Sequence, residues 1–184
     1  MSGIDQPIAT AFLSEIRAIF RSQKQMLDKT LSQLSDEELF WQPDPESNSI
    51  AINIKHLGGN MMSRWTDFLT TDGEKPNRNR DSEFITDFDL AESLKHLLAQ
   101  GYQVFFATID SITTDDLLKT IMISNEPHTV IKALQRQVSH YGYHVGQIVY
   151  IAKQIKQKDW QTLTIPRGAS NDYVVTAFKA QSSS

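Results

Sequence analysis

Apolar residues recur at three- and four-residue spacing along four stretches of the chain, and turn residues separate them. The first stretch runs from Pro7, suited to a first helical turn, through Ile8, Phe12, Ile16, Phe20, Leu27, Leu31 and Leu34, and predicts one long amphipathic helix. Ser35 and Glu38 then make a capping-box pattern ahead of a short helical turn with Leu39 and Trp41, closed by Pro43 and Pro45. Ser49 is placed to cap a second helix with the stripe Ile50, Ile54, Leu57, Met61, Trp65 and Phe68. A polar loop follows over about 70–87, with Gly73 and Pro76. The third helix opens on Asp89 and Glu92, another capping-box-like pair, and carries Leu90, Leu94, Leu97, Leu98, Val104, Phe105, Ile109 and Ile112. Residues 118–123 are short and rich in β-branched side chains, which predicts an extended connector or minor strand before Asn125, Glu126 and Pro127. Thr129 then caps a fourth helix reaching about Ile155.

The last stretch, 160–168, has no helical period yet contains Trp160, Leu163 and Ile165, so it predicts an ordered tail lying across the helices. The simplest architecture is all-α, a four-helix bundle over about 7–157, with an extended C-terminal tail over 158–176 and a loose end over 177–184. The 184 residues suit one domain that buries its own core. There is no internal repeat.

Composition narrows the function classes. A hydrophobic fraction of 40% with no apolar run approaching the roughly 18 residues of a membrane span predicts a soluble protein. The first residues lack the basic and apolar regions of a secretion signal, so the expected location is cytoplasmic. The net charge of -4 leaves no electrostatic footprint for nucleic acid. The cluster Lys75, Arg78 and Arg80 is interleaved with Asp72, Glu74, Asp81 and Glu83 and reads as a solvated loop. With no cysteine, any metal must be held by nitrogen and oxygen.

His140 and His144 stand four residues apart in the fourth helical pattern, one above the other on a single face. They fall at the edge of the stripe Val130, Leu134, Val138, Tyr141, Val145, Ile148 and Ala152, beside Gln137 and Ile151. Spacing alone leaves two readings open, a pair of boundary histidines satisfied by backbone or water, or part of a metal site. His56 falls away from the centre of its own stripe, nearer Asn60, Ser63 and Asp67, and by pattern reads as solvated. His96 and His128 read as structural or exposed.

The run His140-Tyr141-Gly142-Tyr143-His144-Val145-Gly146-Gln147 resembles the H-x-x-x-H-x-G-Q signature of the DinB/YfiT-like superfamily of metal-binding four-helix bundles. The Ser35–Leu39 run followed by Trp41 and the Ser49-Ile50 helix start leading to Ile54, Lys55, His56 and Leu57 are similar as well, so the likeness spans about 12–153. The tail over 160–170 is similar to that of a subfamily whose function is unassigned. The resemblance implies an up-down-down-up bundle, a homodimer, and a divalent metal held by His56, His140 and His144. Under it, a second helix rolled or kinked near Gly58 and Gly59 would bring His56 round.

Three neutral imidazoles suit Zn, Ni or Fe and leave an open position, where a water or a thiol is activated. Asn60, Gln137 and Gln147 lie one turn from the ligands and are candidates to orient them. Tyr141 occupies the place where an H-E-x-x-H protease carries its glutamate, so peptide hydrolysis by that route is not expected. The resemblance implies a metal-dependent enzyme that activates a low-molecular-weight thiol or water for S-transfer or hydrolysis on a small substrate, and the alternative is a non-catalytic, dimeric metal-binding or sensory protein. Arg167 is a candidate anion contact if the tail folds over the metal.

Overall fold

A computed structural model of the chain describes residues 5–85 and 90–171. Among these it forms four α-helices and one two-stranded ribbon: α1 (Gln6–Leu31), α2 (Ile50–Trp65), α3 (Ala91–Ser111), β1 (Thr120–Ile123), β2 (Glu126–Thr129) and α4 (Val130–Lys156). The all-α expectation holds, and no helix among the described residues is long and apolar enough to cross a membrane.

Local chemistry places the helix starts as expected. The Ser49 hydroxyl accepts the Ile52 N–H at 3.1 Å, and the Thr129 hydroxyl accepts the Lys132 N–H at 3.3 Å. Ser35 and Glu38 close their capping box over the turn Glu37–Phe40. The expected cap at Asp89 and the tail beyond 171 lie outside the described residues. α1 stops at Leu31 rather than Leu34, and α2 at Trp65 rather than Phe68. The minor strand is present as β1, and it has an antiparallel partner, β2, which the Pro127-containing sequence did not suggest. Ser124 and Asn125 join the two with φ of 54° and 62°, the doubly left-handed backbone of a tight hairpin turn.

α2 packs against α3 and α4, and α1 packs against α4, around one apolar core. Gly58 and Gly101 let α2 and α3 approach backbone to backbone. A Cβ on Gly101 would lie 3.1 Å from the Met61 Cβ and 3.3 Å from the Gly58 Cα, while one on Gly58 would meet the Leu97 Cγ at 2.7 Å. Aromatic rings fill the centre: Phe105, fully buried, sits 4.8 Å from Phe20 and 5.0 Å from Trp65, centroid to centroid.

The loop after α2 folds back over that helix rather than standing in solvent as expected. Arg78 and Glu83 have side chains only 6% and 7% exposed, because Arg78 meets both oxygens of Glu83 at 2.8 Å. Asp72 ties the loop to the hairpin by accepting the Ser124 and Asn125 N–H groups at 2.8 and 2.7 Å. At the other end of the chain, Gln33 exchanges two hydrogen bonds with the backbone of Gln161, and Trp160 packs on the core. The start of the tail is thereby held against the end of α1.

Candidate metal centre

α2 runs unbroken past Gly58 and Gly59, and His56 is 3% exposed without any kink. The expectation of a solvated His56 fails because α2 is enclosed nearly all round. Of its residues only Lys55, Gly59 and Met62 are not buried. On such a helix the polar positions mark a polar neighbour rather than water. Asn53, His56 and Asn60, at three- and four-residue spacing, form a line that faces α4.

His140 and His144 project from α4 toward that line. His56 Nε2 lies 3.1 Å from His140 Nε2, and ring nitrogens of the three histidines all fall within 4.8 Å of one another. His56 and His144 are buried and His140 is half-buried. An ion that bonds imidazole nitrogen at about 2.0–2.1 Å spans two ligands no more than about 4.2 Å apart, so ring rotation closes this set on one ion. The three histidines could therefore hold a metal. His96 is exposed on α3, and His128 is buried under the start of α4; neither joins the group.

Each imidazole has a polar partner. The Glu83 carboxylate accepts from His56 Nδ1 at 2.9 Å, and the Asn53 carbonyl accepts from His144 Nδ1 at 2.8 Å. Both contacts leave the Nε2 lone pair directed inward. Gln137 Nε2 lies 3.1 Å from His140 Nδ1 and donates to Asn60 Oδ1 at 2.6 Å. Asn60 in turn meets the Tyr141 hydroxyl, which accepts the Trp65 indole N–H at 2.8 Å.

Electrostatics hold His140 and His144 in the neutral form. Burial, then the imidazoles of His144 and His56 and the guanidiniums of Arg64 and Arg78, push His140 down to about 3. Burial and His56 push His144 down to about 4. Burial works to raise the Glu83 carboxyl, but the bonds from His56 and Arg78 outweigh it and hold Glu83 below the usual carboxylate range. Neutral imidazoles beside a fixed carboxylate are a donor set suited to a divalent cation.

Of the expected orienting residues, Gln137 contacts His140, and Asn60 stands behind it on Gln137 and Tyr141. Gln147 is half-buried one turn beyond His144, and Arg167 is exposed and does not line the cavity beside His56 and His140. Asn53 and Glu83 are partners that sequence reasoning missed. Asn53 was legible as the third member of the polar line on α2, whereas Glu83 comes from a loop and left no local signal. Glu83 reaches the site over Gly59, where a Cβ would lie 2.4 Å from its Oε1.

The fold and site together define an all-α protein whose second and fourth helices meet across a histidine triad that could hold a metal ion. Residues 7–169 match the family described as "Protein of unknown function (DUF1572)", and the chain belongs to that family. No curated protein matches the chain.

Proposed function

We propose that the chain is a single-domain, homodimeric member of the DinB/YfiT-like superfamily, an up-down-down-up bundle that binds one divalent metal through His56, His140 and His144. Its function on this reading is metal-dependent S-transfer or hydrolysis on a small substrate, with a low-molecular-weight thiol or water as nucleophile. The observation that carries the reading is the convergence of three imidazoles from two helices, with ring nitrogens within 4.8 Å of one another. A divalent ion supplies Lewis acidity in such a setting, lowering the pKa of a water or thiol that reaches it.

The protein side of the chemistry is orientation and exclusion. Glu83 holds the His56 tautomer and Asn53 that of His144. For His140 to offer Nε2, Gln137 and Asn60 turn over together, so that the Gln137 oxygen accepts from His140 Nδ1–H and the Asn60 amide donates to Tyr141. In that arrangement the Tyr141 oxygen accepts from both Trp65 and Asn60, and its own O–H gives up its acceptor on Asn60, a cost that metal binding must offset. The buried aromatic rings of Trp65 and Tyr141 keep bulk water from that side.

Metal content of untagged protein by mass spectrometry tests the reading. About one divalent ion per chain is expected, lost in His56→Ala, His140→Ala and His144→Ala while helical content survives. Unchanged stoichiometry in any of the three would overturn the assigned ligand set.

A further inference from the structure

A second polar feature adjoins the histidines. A cavity of about 120 Å³ is lined by His56 and His140 and by Arg64, Arg78, Arg80 and Arg136, with one carboxylate, Glu74, in the lining on its ion pairs with Arg78 and Arg64. At about 30 Å³ per water it has room for about four waters, the scale of one small anionic group rather than of a nucleotide.

The arginines are not all spoken for. Glu83 is taken by Arg78 and His56, and Asp72 by the backbone amides of Glu74, Ser124 and Asn125. Glu74 binds Arg78 at 3.2 Å and reaches Arg64 only at 3.7 Å. Arg64, with its side chain 7% exposed, is left with Nε and Nη1 buried and without a hydrogen-bond partner. Neither Arg80 nor Arg136 has an ion-pair partner among the described residues. A buried guanidinium with two donor nitrogens unmet is costly to keep unless an acceptor visits it.

We propose that this cavity binds a small oxyanion, the carboxylate or phosphate end of the substrate, on Arg64, Arg80 and Arg136. Arg78 stays locked to its glutamates and forms the wall. The guanidinium fork suits both oxyanions, and Ser124, Asn60 and Gln137 line the same space with neutral hydrogen-bonding groups. Anchored there, the substrate presents its neighbouring atoms to the triad, so this inference rests on the reading of the histidines as the reactive centre. Fixing one end of a small substrate in this way lowers the entropy lost at the reacting end.

Thermal unfolding of the chelator-treated full chain tests it, with phosphate, acetate or chloride at matched ionic strength. Phosphate or acetate should give a saturable rise in Tm beyond that of chloride. The rise should weaken in Arg80→Gln and in Arg136→Gln, each shifting the midpoint concentration by about tenfold, as loss of one charge-assisted hydrogen bond implies. Both residues are exposed, so the variants should fold. Arg64→Lys, which keeps the charge but loses the fork, should weaken binding as well. No rise beyond chloride with either anion, or an unchanged rise in the Arg80→Gln/Arg136→Gln double variant, would overturn the proposal. The double variant should retain its metal. Metal binding without an anion response overturns the oxyanion site alone, and an anion response in a protein that never takes up metal upholds the site while removing the histidines as its reactive neighbour.

Discussion

The interior has a dry half and a polar half, and they are held together by different rules. In the dry half Phe20, Trp65 and Phe105 pack at 4.8–5.0 Å, centroid to centroid, and any neighbour of the right volume serves. In the polar half Asn53, His56, Asn60, Gln137, His140 and His144 meet through hydrogen bonds in which each donor needs its own acceptor. Tyr141 belongs to both, its ring 5.4 Å from Phe105 and its hydroxyl on Asn60. The dry half supplies bulk stability, and the polar half spends some of it to hold the imidazoles in one orientation.

The largest effect should come from the dry side. Phe105→Ala is expected to lower stability by about 3–5 kcal/mol in urea unfolding, while the folded fraction keeps its metal stoichiometry. Loss of metal from well-folded Phe105→Ala would mean the halves are not separable. Gly59→Ala strikes the polar side, since the new methyl displaces the Glu83 carboxylate. It should cost about 1–3 kcal/mol. Metal affinity in a competing-chelator titration should fall about 10–100-fold, as expected when the partner of a ligating histidine is lost. Affinity equal to that of the parent would show that Glu83 does not set His56.

The smallest effect lies outside both halves. Asp116 closes a turn after α3 by accepting from Thr113 and Lys119, and these bonds lower its pKa from 3.8 to about 2, with Lys119 the main cause. A depressed carboxylate stabilises above its unfolded value, so Asp116→Ala should cost about 1 kcal/mol near neutrality. The gap to the parent should narrow as pH falls from about 3.8 to about 2. A gap independent of pH in that window would remove the charge from the account.

Legibility in the sequence followed exposure. α1 and α4 have a solvated face, so their stripes were readable and His140 and His144 fell at the correct edge. α2 is buried on nearly every side, and its wheel position made His56 look solvated when the polar residues faced another polar surface. Arg78 and Glu83 read as loop charges because what buries them is their mutual ion pair and the return of the loop over α2, both tertiary facts. The hairpin was half legible: β1 had the composition of a strand, while β2 contains Pro127 and relies on the turn at Ser124 and Asn125.

The bare contact between Gly58 and Gly101 acts as an index mark for α2. With no side chain on either surface, the helix sits so close to α3 that a small roll drives Leu97 or Met61 into backbone. The angular setting of α2 is therefore fixed on the side away from α4. The direction in which His56 points is decided by two residues that contribute nothing to the chemistry, and the aim of the imidazole is inherited from a seam across the helix.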